Sequence, residues 1–289
     1  MISLLRATYC VLRDTMRSKL RFMHVSACLV AGITVLGATI GCSDVGTSPT
    51  VAVALAFDTL PSPSVVYGDT LRDINGVATP LTGHAYNADG NEIPNARIEY
   101  FAADGATATI DRTCPCYLIA TSDPAKTQIV LRAQIGGGIP SLTARTLQIV
   151  PLPDTVDRVN RSLVDTLNYA GTDTIPRVSA ALALRVLDRP DSTNSDSVRG
   201  VRAWLVRFQV VSPAGADSLL VNDAGLPSTL DTTGSDGVAS RTIRLRPNRG
   251  GNLSTGVPDS VIVEATARNR AGVLPGAPVR YILILRKST

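Results

Sequence analysis

Aromatic side chains are scarce, at 4% of 289 residues, with one tryptophan and four phenylalanines. So few flat rings leave little on which to stack a sugar, which weakens any glycoside-processing site built on paired carboxylates. Histidine is scarcer still. There are two, and beyond residue 41 only His84 remains. A zinc site made from several imidazoles is therefore excluded from the body of the chain. A Ser-His-Asp triad would have to use His84, and the sequence around it, LTGHAY, has no nucleophile elbow. No glycine-rich phosphate loop occurs, because Gly136-Gly-Gly138 runs into Ile139-Pro140 and reads as a turn. A helical apolar stripe is also missing from residues 51–289.

An excess of one charge is absent too, once the chain is divided. The formal charge is +4, but five of the 28 basic residues and one of the 24 acidic residues lie in 1–41. The remainder holds 23 of each sign. A neutral body offers no electrostatic footprint for nucleic acid, so none is expected as a partner.

What is present divides into a leader and a body. Arg17, Lys19 and Arg21 precede 25–40, an uncharged apolar run of 16 residues. A basic segment, an apolar segment and small residues before a cut site make a secretory signal. A spanning helix needs about 20 residues, so cleavage is the expected fate. The segment before Arg17 is long for a signal, and Met16 as the start would keep all three cations. The run ends in Thr39-Ile40-Gly41-Cys42. This resembles the lipobox of bacterial lipoproteins, with Thr39 where that family prefers leucine. The resemblance implies that Cys42 is lipidated, that residues 42–50 form a polar tether, and that the membrane is a partner through this lipid. Ser43 after the cysteine favours the outer membrane or cell surface where such sorting operates.

The whole chain is 44% hydrophobic and carries 23 glycines and 18 prolines, and the apolar content of the body rests on Val, Leu, Ile and Ala. Short apolar runs between turn signals predict an all-β fold. Runs at 51–57, 83–86, 97–102, 107–110, 117–121, 128–135 and 142–150 form one block. Runs at 182–187, 201–211, 238–246, 259–267 and 279–286 form another. In 259–267, Val261, Val263, Ala265 and Ala267 alternate with Ile262, Glu264 and Thr266, as a half-buried strand requires. In 201–211 the same alternation puts Trp204, Val206, Phe208 and Val210 on one face and predicts Trp204 as a core anchor. Residues 155–170 fit either a short helix or a linker plus a strand.

The blocks echo each other. Ile129-Val-Leu-Arg-Ala133 corresponds to Val261-Ile-Val-Glu-Ala265, and each precedes a turn and a final apolar strand. Such self-similarity predicts tandem modules. The expected map is a signal over 1–41, a tether over 42–50, modules over 51–153 and 177–289, and a linker over 154–176.

Asp89-Gly90, Ile93, Ala96, Ile98 and Tyr100 resemble the turn-and-strand pattern of bacterial immunoglobulin-like domains of the invasin and intimin type. In the second block Asp188, Val198, Gly200, Val206 and Phe208 follow it with an inserted polar loop. Thr233-Gly-Ser-Asp-Gly237-Val-Ala239 is similar to that family's Thr-x-x-x-Gly-x-Ala. The resemblance implies immunoglobulin-like β-sandwiches used as spacers, stalks or adhesive elements. It carries over no catalytic residue, and no enzyme activity or cofactor is expected.

Three cysteines remain after the leader: Cys42, Cys114 and Cys116. Export favours pairing of Cys114 with Cys116, although a bridge across one residue closes a small strained ring. No further soft ligand lies nearby for a metal, and no thioredoxin-like Cys-x-x-Cys occurs. Asp188, Asp191 and Asp196, and separately Asn87, Asp89 and Asn91, line polar loops. Neither set matches a complete calcium loop, so no metal ligand is expected. Two roles compete: a structural or adhesive surface module with a protein or glycan partner, and a ligand-binding lipoprotein that uses loops at one sandwich end. The second would draw on Tyr67, Tyr86, Tyr117 and Tyr169.

Overall fold

The computed structural model describes residues 51–111, 115–136, 143–159, 162–170, 175–190, 198–245 and 259–287. Cys42, with the signal and tether, lies outside them. Two sandwiches follow one another, and the described residues contain no α-helix, only a 3-10 turn at Asp217–Leu219.

The first sandwich comprises β1 (Ala54–Phe57), β2 (Ser64–Val66), β3 (Gly83–Tyr86), β4 (Ile98–Ala102), β5 (Ala108–Ile110), β6 (Leu118–Ala120), β7 (Gln128–Ile135) and β8 (Thr143–Val150). One sheet runs β2-β8-β7-β4, and the facing layer holds the pairs β1-β3 and β5-β6. The chain switches layers between β1 and β2 at Pro61 and Pro63, which lack ladder donors. As a result β1 pairs antiparallel with β3, while β2 pairs parallel with β8. Leu71, Leu118, Ile129, Leu131 and Leu147 are fully buried between the layers. Each such side chain contributes about 1.5–3 kcal/mol of burial.

The second sandwich comprises β9 (Thr155–Arg158), β10 (Val164–Tyr169), β11 (Arg177–Val178), β12 (Leu182–Asp188), β13 (Arg199–Gly200), β14 (Leu205–Ser212), β15 (Leu220–Val221), β16 (Leu230–Thr232), β17 (Val238–Leu245), β18 (Ser260–Asn269), β19 (Gly272–Val273) and β20 (Val279–Lys287). One sheet runs β10-β20-β18-β14-β16 and the other β11-β17-β12-β13, with β9 also on β12. The opening repeats the first sandwich, with β9 antiparallel to β12 and β10 parallel to β20. This shared order, a first strand divided between two packed antiparallel layers, makes both sandwiches immunoglobulin-like. The alternation expected in β18 is realised, with Val261, Val263, Ala265 and Ala267 all buried.

Residues 154–176, expected as a linker, instead carry β9 and β10. The reason is packing: Val156 and Leu167 are buried and fill the second core. The helix alternative fails on the same stretch, because Val159 and Val164 remain exposed and no common apolar face forms with Leu167. Only residues 151–154 separate β8 from β9. Val150, the last residue of β8, belongs to the second core, and Val66 packs against it. Val51–Thr289 is accordingly one compact unit.

Candidate functional site

Polar and glycine contacts join the two sandwiches where they meet. Ser64 on β2 donates its hydroxyl to the Ala203 carbonyl at 2.7 Å. Asn269 at the end of β18 donates its side-chain amide to the Pro153 carbonyl at 2.9 Å. Gly76 has φ +81°, and a Cβ there would stand 2.4 Å from the Asn269 carbonyl oxygen, so only glycine fits. Asp69 receives Arg72 at 2.9 Å and Arg270, from the second sandwich, at 3.7 Å. Burial pushes the Asp69 carboxyl up, but hydrogen bonds from Arg72 and the Thr70 N–H, with both arginine charges, outweigh it and hold the carboxyl below its ordinary value. The cavity left at this joint is about 30 Å³, the scale of a single water, which suits a packed seam and not a ligand pocket.

Trp204 lines this seam, and here the sequence expectation is corrected. It was expected in the second core, on a strand beginning at 201. The strand begins at Leu205, because Ala203 adopts φ +55° and Arg202-Ala203 form a turn. Val206, Phe208 and Val210 keep the expected buried face, while Trp204 is half-buried against the edge of the core. Thr233 fixes the turn. Its hydroxyl donates to the Val201 carbonyl at 2.6 Å and accepts the Trp204 N–H at 2.8 Å.

His84 lies on β3 with its side chain 44% exposed, between two carboxylates. Its Nδ1 is 2.6 Å from Glu92 Oε1, and its Nε2 is 3.3 Å from Asp58 Oδ1. The hydrogen bond to Glu92, then the charges of Asp58 and Glu92, raise its pKa above the ordinary 6.5. Such a histidine favours the charged form and ties the end of β1 to the turn after β3.

The other sequence candidates fall apart in space or into local roles. Asn87 Oδ1 accepts the N–H groups of Asp89 and Asn91, so this polar cluster closes its own turn. Asp188 has its pKa raised by burial, with Arg199 opposing and Asp154 adding to the rise. Asp191 and Asp196 lie outside the described residues. Tyr67 packs on the first core and Tyr169 on the second, so these two do not share one platform. Cys116 is half-buried beside the first core, and its carbonyl accepts the Leu81 N–H at 2.8 Å. Cys114 lies outside the described residues, and with it the expected Cys114–Cys116 bridge. Among the described residues no group of three or more His, Cys, Asp or Glu is arranged to hold a metal ion.

Sequence reasoning missed a buried arginine. Arg241 faces inward on β17 at 7% exposure and pairs with Asp231 at 2.8 Å. It also donates to the Ser228 and Leu230 carbonyls, clasping β16 from within. The buried face of β17 is Ala239, Arg241, Ile243 and Leu245, and the carbonyls of Ser228 and Leu230 reveal why an arginine can lie among the apolar residues.

No family model matches the chain, and no curated protein sequence does. Among solved structures, the Yersinia pseudotuberculosis adhesin InvE is similar over 80% of this chain and 58% of its own, with 14% identity and a TM-score of 0.29. This chain therefore spans less than two thirds of that adhesin chain. The D0-D1 domain of intimin is similar over 80% of this chain and 95% of its own, with 14% identity and a TM-score of 0.25. Domains 5-6 of the S-layer protein SbsC are similar over 83% and 99%, with 9% identity and a TM-score of 0.27. Scores this low add nothing to the assignment of the fold, which rests on the strand order: two immunoglobulin-like sandwiches in tandem.

Proposed function

We propose that this chain is a lipoprotein of the cell envelope whose body serves as a structural, spacer or adhesive surface module. The observation that supports this reading is the union of two features. A basic, apolar, Gly41-Cys42 leader is followed by two sandwiches whose seam shares core residues across a connection of only residues 151–154. A tethered body of this kind keeps whatever lies beyond it at a set distance from the membrane, because bending at the seam would expose Val66, Val150 and Trp204 together. His84, the one imidazole in the body, pairs with Glu92 and Asp58 and so ties the end of β1 to the turn after β3.

The anchoring step is tested directly. In Cys42→Ala, fatty-acid labelling should be lost, unprocessed precursor should accumulate and the protein should leave the membrane fraction. Persistent labelling would overturn the lipid anchor. The structural role is tested by His84→Ala, which should leave every measured binding or hydrolytic activity of the folded protein unchanged.

A further inference from the structure

One exposed turn is chemically labile by composition and tied into the seam by geometry. Asn75-Gly76 is the only asparagine-glycine step in the chain. Glycine after asparagine leaves the peptide nitrogen unshielded, because no Cβ stands beside it. Asn75 is exposed, in a turn that runs from Asp73 to Val77. The Asp73 N–H donates to the Val77 carbonyl, and the Gly76 N–H donates to the Asp73 carbonyl at 3.0 Å. The Asp73 carboxylate accepts the N–H groups of Asn75 and Val77, each at 2.9 Å, and the Asn75 side-chain amide at 3.2 Å.

Gly76 is also where this turn meets the second sandwich. Its Cα faces the Asn269 carbonyl closely enough to bar any Cβ. Its carbonyl accepts from Arg72, which pairs with Asp69, and Asp69 in turn receives Arg270. Trp204 borders the same small cavity as Asp73 and Gly76. A turn of the same form at 87–91 is free of such ties. There the Asn87 carbonyl accepts the Gly90 N–H and its side chain accepts the Asn91 N–H, yet a Cβ on Gly90 would meet nothing within 4 Å.

We propose that Asn75 is a self-modification site whose conversion to isoaspartate unlocks the seam. The Gly76 amide nitrogen attacks Asn75 Cγ and closes a succinimide ring. The Cγ–Nδ2 bond breaks, and ammonia leaves with the proton from the Gly76 nitrogen. Water then attacks the main-chain carbonyl carbon of Asn75 and breaks its bond to that nitrogen. The chain now runs through the side chain of residue 75, and nothing has been oxidised or reduced. The product has one more backbone atom before Gly76 and a free carboxylate beside Asp73. A lengthened turn cannot hold Gly76 against Asn269 and keep its carbonyl on Arg72 at once. Asp73 is the brake: it occupies the Gly76 N–H and grips the Asn75 amide, so the reaction waits for the turn to open.

The test is incubation of the full-length chain in warm, mildly alkaline buffer with detergent, followed by peptide mapping and enzymatic methylation of isoaspartate. The peptide holding residues 75 and 76 should gain one mass unit and take up methyl label. Trp204 emission should shift red in proportion to the modified fraction. Asn75→Gln, whose ring closes far more slowly, should keep its native emission over the same period. Asn75→Asp carries the charge without the added atom and should start with native emission. Asp73→Ala, folded by circular dichroism, should convert several-fold faster than the wild type. Conversion in guanidinium but none in the folded chain would overturn the inference. So would modified protein with unchanged emission, an Asn75→Gln that shifts red as fast as the wild type, or a folded Asp73→Ala that converts no faster.

Discussion

The hydroxyl of Ser64 donates a 2.7 Å hydrogen bond to the carbonyl of Ala203, 139 residues further along the chain. Around it Val66 and Val150 enter the second core, so the two sandwiches should unfold together. A single calorimetric transition is expected for the wild type. Ser64→Ala should cost about 1 kcal/mol, the net worth of one hydrogen bond. Gly76→Ala should do more, because its Cβ would drive into the Asn269 carbonyl and wedge the seam open, splitting the transition in two. Trp204, the sole tryptophan, reports the same event: its emission should shift red and become more open to quenchers in Gly76→Ala before global unfolding. One unsplit transition with unchanged emission would show that the sandwiches are held by something else.

Glycine tolerance separates backbone conformation from packing. Gly237 and Gly215 share φ +79°, yet a Cβ on Gly237 would lie 2.6 Å from Gly200 Cα, and one on Gly215 meets nothing within 4 Å. Gly215→Ala should cost roughly 1–2 kcal/mol, the left-handed backbone alone. Gly237→Ala adds a backbone clash and should cost roughly 2–5 kcal/mol in denaturant titrations. Equal costs would refute the close crossing of β13 and the 234–237 turn.

His84 should titrate above the ordinary 6.5 when followed by imidazole proton shifts in NMR. The raised value means that the folded state binds the proton more tightly than the unfolded chain does. Its stabilising contribution is therefore complete below 6.5 and is lost as pH rises through the folded-state value. Glu92→Gln removes the leading cause and should bring the midpoint down. A midpoint unchanged in Glu92→Gln would mean that the contact does not persist in solution.

Tyr281 on β20 donates its hydroxyl to the Ala183 carbonyl of β12 at 2.7 Å, spanning the second sandwich. Burial pushes its pKa up to about 12. In an ultraviolet pH titration one tyrosine should ionise well after the ordinary value of 10. Tyr281→Phe should delete that late step and cost about 1 kcal/mol. If the late step survives the substitution, another tyrosine is the buried one.

Removing Arg241 tests the inward clasp on β16. Arg241→Met keeps the stem but removes the guanidinium from Asp231, which retains the Ser240 N–H, and from the Ser228 and Leu230 carbonyls, of which Leu230 retains the Ser228 hydroxyl. A loss of about 3 kcal/mol is expected, the low end for breaking a buried pair, since Asp231 remains 24% exposed. Hydrogen exchange should quicken at Leu230–Thr232 more than elsewhere. Uniform loss of protection across β17 and β18 would instead mark Arg241 as part of the global core.

By itself the sequence determined the β class, the tandem repeat and most buried faces, because period-two alternation in 128–135 and 259–267 leaves one register that hides the apolar set. It also carried the turns. The resemblance at Thr233, Gly237 and Ala239 proves to be a hydroxyl that pins the start of β14, a glycine that crosses another backbone and a methyl in the core. Tertiary structure alone decided where residues 155–170 go, since Val156 and Leu167 become strand residues only when the facing sheets of the second sandwich supply neighbours. It decided the place of Trp204, because the positive φ at Ala203 turns the chain at 202–203 and starts the strand at Leu205 instead of the expected 201. It also decided the seam, whose hydrogen-bonded partners Ser64 and Ala203, and Asn269 and Pro153, lie more than 100 residues apart and leave no local signal.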